Sequence, residues 1–357
     1  MNFLERIDLW NKSTSIYNQT FRYNPYFIAE IGVNHEGSLT KAKELIISAK
    51  NGGANAVKFQ SYKAEKLTIQ NSPAYWDQSE ESTNSQYELF KKYDSFEAED
   101  YFELKKFCEE NEVEFLTTPF DVDFVDELDE ILNFYKVASA DLTNYQLLKK
   151  IAKKNKPIIL STGASTISEI KSTLNFLSQY KVDVILNHCV LSYPAPLSSA
   201  NLGMLLNMSK EFPNIIGYSD HTVPDNDHLV LMCAVSLGAT VLEKHFTLDK
   251  TMPGNDHYHS YDECDLKEFN KKIQTLRTIT GKESKEVLEV ELPARENARR
   301  SLVYFDNYSK GLILKEEMIV AKRPGTGISP SKFEDFIGRT LNVDVNKDEQ
   351  INPGHFL

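Results

Sequence analysis

Eight short runs of β-branched and aromatic residues recur between positions 27 and 245, with stretches of helical apolar spacing between them. The runs are Phe27 to Gly32, Ala54 to Gln60, Val113 to Thr117, Phe134 to Ala138, Pro157 to Ser161, Asp183 to His188, Asn214 to Tyr218 and Ala239 to His245. Strand-sized runs alternating with helices specify βα units and a parallel sheet, and eight of them match a TIM-type (β/α)₈ barrel. LTKAKELIISAKNGG has the helical spacing and ends on Gly52 and Gly53, a helix stop. The polar, aromatic stretch from Ser61 to Tyr93 follows the second run, where a long loop is expected to border an active site.

Beyond about Lys272 this rhythm stops. A charged helical segment, GKESKEVLEVELPARENARR, leads from Ser301 into short alternating runs broken by Gly and Pro, which read as a small, mostly-β module. The expected division is a barrel over 1–280, a linker over 281–298 and the module over 299–357.

Charge narrows the partners. Lys and Arg total 40 against 52 Asp and Glu, and the net charge of −12 opposes association with nucleic acid or anionic membranes. A few convergent lysines would still make a locally positive pocket. The four cysteines form no CxxC pair, which predicts reduced thiols and the cytosol. The opening MNFLERIDLWNKSTS lacks a signal-peptide core and no apolar run is long enough to span a bilayer, so a soluble, cytoplasmic protein is expected.

In a barrel of this kind the chemistry sits at the C-terminal ends of the strands. There the chain carries Glu30, Asn34 and His35; Lys58 and Gln60; Lys136, Ser139 and Asp141; Ser219, Asp220 and His221; and Glu243, Lys244 and His245. Side chains alternate along a strand, so Lys58 shares a face with Gln60 and Glu243 with His245, and this face is assigned to the interior. A buried lysine needs a carboxylate or a bound anion as partner. His221 and His245 end neighbouring strands, which suits a divalent Lewis acid such as Mn²⁺, and Asp256 follows as a group for sugar hydroxyls or metal-bound water. One such histidine or lysine alone is ordinarily a satisfied polar residue. Five strand ends with ionisable groups at once are expensive to keep for stability, which marks an active site. Cys189 and Cys233 are read as core residues, DELDEI as a solvated face, and His257 and His259 as part of a polar loop.

The motifs FIAEIGVNHEG, AVKFQSYKAEKL, TTPFD, YKVASADLTN, LSTGAS, SYPAP, IGYSDHT, LEKHFTLDK, MPGNDH and KRPGTGISP together resemble the N-acetylneuraminate (sialic acid) synthase family, which includes legionaminate and pseudaminate synthases. The resemblance runs from about Tyr26 to the end. It implies a (β/α)₈ barrel, a C-terminal antifreeze-like (SAF) domain, and a homodimer in which the SAF domain of one subunit caps the other's barrel. It implies His221 and His245 as ligands of a divalent metal (Mn²⁺ or Mg²⁺). Lys58, Lys136, Ser139 and Ser219 match the set binding phosphoenolpyruvate (PEP), and Glu30, Tyr193, Glu243 and Asp256 match groups at the sugar or the metal-bound water. Arg323 matches the arginine extended to the sugar's N-acyl group. The implied reaction condenses PEP with an N-acylated amino-sugar aldehyde and releases phosphate.

Three features depart from the family pattern: apolar Leu191 stands on the sugar side, MPGNDHYHS replaces the commoner GPDH and its small-residue run, and QNSPAYWDQSEESTNSQYELF is an unfamiliar loop. N-acetylmannosamine and a 2,4-diacetamido-2,4,6-trideoxyhexose are both acceptors to consider. The alternatives are a Schiff-base aldolase using Lys58 or Lys136 and a non-catalytic carbohydrate-binding protein.

Overall fold

Each of the eight runs forms a strand in the structure, a computed structural model that describes residues 3–12, 23–76, 78, 81–254, 256–282 and 284–357. The strands are β1 (Tyr26–Gly32), β2 (Ala56–Ser61), β3 (Glu114–Pro119), β4 (Tyr135–Val137), β5 (Ile158–Ser161), β6 (Val184–Cys189), β7 (Ile216–Asp220) and β8 (Val241–His245). Parallel ladders join them in the order β3-β2-β1-β8-β7-β6-β5-β4, and β3 lies against β4 at the remaining seam. This is a nearly closed (β/α)₈ barrel. Every residue of β1, β5, β7 and β8 is buried, so apolar residues occupy both faces of these strands and the ionisable ones gather toward their C-terminal ends.

Local signals set the intervening helices. Ser38 caps Leu39–Gly52 by accepting from the Lys41 backbone N–H, and Gly53 ends it at φ 94°, a left-handed conformation that glycine adopts without strain. Thr166 and Glu169 close a capping box on Ile167–Leu177. The stretch after β2 holds two short helices, Ala64–Leu67 and Gln86–Tyr93. Among the described residues no helix is long and apolar enough to cross a membrane.

The chain divides into two compact units, Met1–Gly281 and Lys282–Leu357. In the second, β9 (Ser301–Tyr304) pairs antiparallel with β10 (Ile319–Lys322), and Leu302, Tyr304, Leu314 and Leu341 centre a separate small core.

The turn after β1 buries His35, whose ring stacks on Phe96 with centroids 4.3 Å apart and whose Nδ1 accepts from the Gly37 backbone N–H at 3.1 Å. Burial lowers this imidazole from 6.5 to about 4. The unfolded chain therefore takes up a proton that the native state refuses between those values, so this contribution is intact above pH 6.5 and erodes as pH falls toward 4. At roughly 1.4 kcal/mol per pH unit, acidification through that window should remove about 3 kcal/mol. Thermal unfolding at pH 7 and pH 4.5 should show a smaller Tm difference in His35→Gln than in the parent; equal differences would refute the assignment.

Candidate active site

Barrel closure decides which strand-end residues meet. β4 and β8 stand four places apart in the ladder order, yet Lys136 Nζ lies 3.4 Å from Glu243 Oε1, a contact made only across the interior. Lys58 Nζ is 2.5 Å from Glu30 Oε2, donates to Thr118 Oγ1 at 3.0 Å and lies 4.0 Å from Glu243 Oε1. Gln60 donates to Glu30 Oε1 at 2.8 Å, and Ser219 Oγ donates to Glu243 Oε1 at 3.1 Å. All four charged residues are buried. The result is a two-lysine, two-carboxylate network closed to bulk water.

The two carboxylates differ. Burial pushes Glu30 upward, more than Lys58 pulls it back. Burial also opposes charge on Glu243, but Lys136 and then Lys58 outweigh it and hold the group at about 2. Environment has separated two like groups in proton affinity, the pattern of sites that handle protons.

Alternation removes two candidates from this interior. Lys244, between Glu243 and His245, projects to the other face, where its Nζ donates to Asp220 Oδ2 at 2.7 Å and to the Thr222 carbonyl and lies 5.5 Å from the Tyr261 ring centroid. Asp220, also buried, accepts from the Thr222 backbone N–H and hydroxyl. This pair works behind the strands.

Above the network sit imidazoles. His221 Nδ1 donates to the Val190 carbonyl at 2.7 Å, leaving Nε2 as the lone-pair nitrogen, and burial with His245 nearby pulls the ring down to about 3. The His221 and His245 rings stand 5.7 Å apart, and Tyr193 covers His221 at 4.3 Å. His245 Nδ1 lies 3.4 Å from Asp256 Oδ2. His257 and His259 lie in the loop after β8, and both are buried there. His257 Nδ1 meets Thr247 Oγ1 at 2.7 Å, whereas the His259 ring centroid is 4.9 Å from that of His245 and its Nε2 is 3.6 Å from Asp256 Oδ1. Spacing held the signal for His259, since Asp256 lies three residues before it, but nothing local tied either residue to His245.

A cavity of about 370 Å³ opens on this centre. Gln60, Ser139, Leu191, Tyr193, His245 and Asp256 line it, so residues from five separate segments converge. Its outer wall is aromatic: Tyr62, Tyr75, Trp76, Phe90 and Tyr93, from the stretch after β2. No Lys or Arg is among the described lining residues. Asp77, Ser79, Glu80 of this loop and Asn255 of MPGNDH lie outside the described residues. Ser139 is buried just beyond β4, and glycine is needed at 163 because a Cβ there would stand 2.8 Å from Cys189 Sγ and 3.0 Å from Ser139 Oγ. Arg323 belongs to the second unit, exposed directly after β10.

These donors fit a divalent cation. His221 presents a neutral imidazole with its other nitrogen anchored to a carbonyl, and His245 and His259 have buried ring nitrogens without a hydrogen-bond partner among the described residues, beside the Asp256 carboxylate.

Residues 45–285 match the NeuB family and residues 299–357 the SAF domain. An N,N'-diacetyllegionaminic acid synthase of Campylobacter jejuni is 38% identical over 330 residues, 91% of this chain and 98% of that protein. Its namesake in Legionella pneumophila is 36% identical over 333 residues, 90% of this chain and 91% of that protein. The crystal structure of an N-acetylneuraminic acid (sialic acid) synthetase from Leptospira borgpetersenii, in complex with citrate, superposes with a TM-score of 0.67 at 32% identity, covering 76% of this chain and 90% of that one.

Proposed function

The chain belongs to the NeuB family, and from that premise we propose that it condenses PEP with an N-acylated amino-sugar aldehyde to give a sialic-acid-like nonulosonic acid and phosphate. The observation that carries this reading is the buried Lys58–Glu30 and Lys136–Glu243 network in the barrel interior, joined to the cavity through Gln60, which lines the cavity and donates to Glu30. Two buried lysines make a receptacle for an anion with a phosphate and a carboxylate, with the Ser219 hydroxyl on Glu243 and Ser139 in the cavity lining as further donors.

In the reaction, C3 of PEP forms a bond to the aldehyde carbon, water adds at C2, and phosphate leaves as the C2–O bond breaks. Positive charge grows at C2 as C3 attacks, and Glu243, held ionised against the lysines, stabilises it. Glu30, pushed toward its protonated form, is suited to exchange the proton that the new hydroxyl requires. Tyr193 and Asp256 meet the sugar where they line the cavity. A divalent cation held by His221 and His245 would supply Lewis acidity at the aldehyde oxygen, and an imidazole set suits Mn²⁺ better than Mg²⁺.

For the acceptor, we favour a 2,4-diacetamido-2,4,6-trideoxyhexose over N-acetylmannosamine. Leu191 and the aromatic wall accept a deoxygenated carbon and acetamido methyls, and the relatives named as diacetyllegionaminic acid synthases point the same way. We further propose a homodimer in which the exposed Arg323 of one subunit reaches the acyl group of the sugar bound in the other.

The test is phosphate release by the Mn²⁺-supplemented protein given PEP and either sugar. Turnover with the diacetamido sugar at kcat/KM at least tenfold above that with N-acetylmannosamine is expected, with loss in His245→Ala. Release with neither sugar, together with no detectable PEP binding, would overturn the reading.

A further inference from the structure

His259 has no role in the reaction as described, yet it is completely buried and neither ring nitrogen has a hydrogen-bond partner among the described residues. Its Nε2 faces only the Asp256 carboxylate at 3.6 Å, beyond ordinary hydrogen-bond reach, and its Nδ1 meets no partner among the described residues; native interiors seldom leave an imidazole so poorly satisfied without a ligand to complete it. Its neighbour in the same motif behaves differently: His257 is paired to Thr247 and faces Glu36 at 3.7 Å. What His259 faces is the centre, with Asp256 Oδ1 at 3.6 Å and the His245 ring at 4.9 Å.

One donor atom from each of His245, Asp256 and His259 can be chosen so that all lie within 4.8 Å of one another. Two ligands at right angles around a cation with bonds of about 2.1 Å stand about 3 Å apart, so separations of 3.4 Å and 3.6 Å need only small side-chain movements to close. These three donors, from one strand end and the loop after it, stand beside His221 and leave the remaining coordination positions to substrate and water.

We propose that His259 is a metal ligand in this chain, joining His221, His245 and Asp256 in a site of three imidazoles and one carboxylate for a divalent transition ion. The assignment rests on the metal-assisted reading above and extends it beyond the His221–His245 pair. It also gives the unusual HYHS segment a purpose, because the second histidine stands where the resemblance leads one to expect a small residue. The donor set excludes a hard, oxygen-seeking ion as the preferred occupant and selects Mn²⁺, Co²⁺ or Zn²⁺ over Mg²⁺.

The experiment is titration of the metal-stripped, full-length protein with Mn²⁺, without PEP or sugar, following free Mn²⁺ by electron paramagnetic resonance, and with Co²⁺ by visible absorption. His259→Ala is expected to weaken Mn²⁺ binding 10- to 100-fold with far-ultraviolet circular dichroism unchanged. His259→Asp returns a donor and should recover most of the affinity while shifting the Co²⁺ bands, a change that a packing role would not produce. Unchanged Mn²⁺ affinity in His259→Ala, Co²⁺ bands identical in all three proteins, or no Mn²⁺ binding by the parent would each overturn the assignment. Because no substrate is present, tight binding that depends on His259 would uphold the site even if phosphate release failed. Robust phosphate release with affinity indifferent to His259 would sink the site and leave the reaction standing.

Discussion

Lys136→Met should lower kcat/KM for PEP by about a thousandfold or more, equivalent to about 4 kcal/mol of lost transition-state stabilisation. The methionine approximates the stem of lysine, so the change deletes charge with little change of volume. It removes the nearer counter-charge of Glu243, at 3.4 Å, leaving that carboxylate with Lys58 at 4.0 Å and the Ser219 hydroxyl at 3.1 Å. The anion receptacle is then halved and Glu243 loses part of what keeps it ionised. The KM for PEP should rise while that for the sugar changes little, since Lys136 does not line the cavity whereas Leu191 and Tyr193 do. A loss below tenfold, or one confined to the sugar KM, would show that PEP is held elsewhere.

Lys244→Ala is expected to cost about 3 kcal/mol of stability because it strands the buried Asp220 carboxylate. The two hydrogen bonds from Thr222 remain and keep the cost from being higher. Burial opposes charge on Asp220, and Lys244 together with Thr222 holds it below the usual carboxylate range. A double variant, Lys244→Met with Asp220→Asn, has no charge to strand and should recover more than half of the lost stability. Because the pair lies behind the strands, the double variant should also keep kcat within about tenfold of the parent. Denaturant unfolding and steady-state rates test the two statements separately; an additive double variant, or one folded but inactive, would move Lys244 into the catalytic set.

Much of the site was legible before the fold was known. Strands covered on both faces carry apolar residues on both, so eight runs announce themselves, and an ionisable residue at the end of such a run stands out as a cost without a structural return. Period-two alternation then placed Lys58 with Gln60 and Glu243 with His245, as observed. The same rule separates Lys244 from its neighbours, although only the structure supplies Asp220 as its partner.

What the sequence by itself determined is therefore everything that depends on short-range periodicity: the repeat, its number, the faces of the strands and the list of charged strand ends. Only the tertiary structure decided which of those charges meet. Lys136 reaches Glu243 because closing the barrel brings β4 opposite β8, although they are more than a hundred residues apart in the chain. His259 reaches His245 because the loop after β8 folds back over its own strand end, burying a residue that local polarity places in solvent. Local spacing fixes direction along one strand; contact between strands is set by closure, which no single segment encodes.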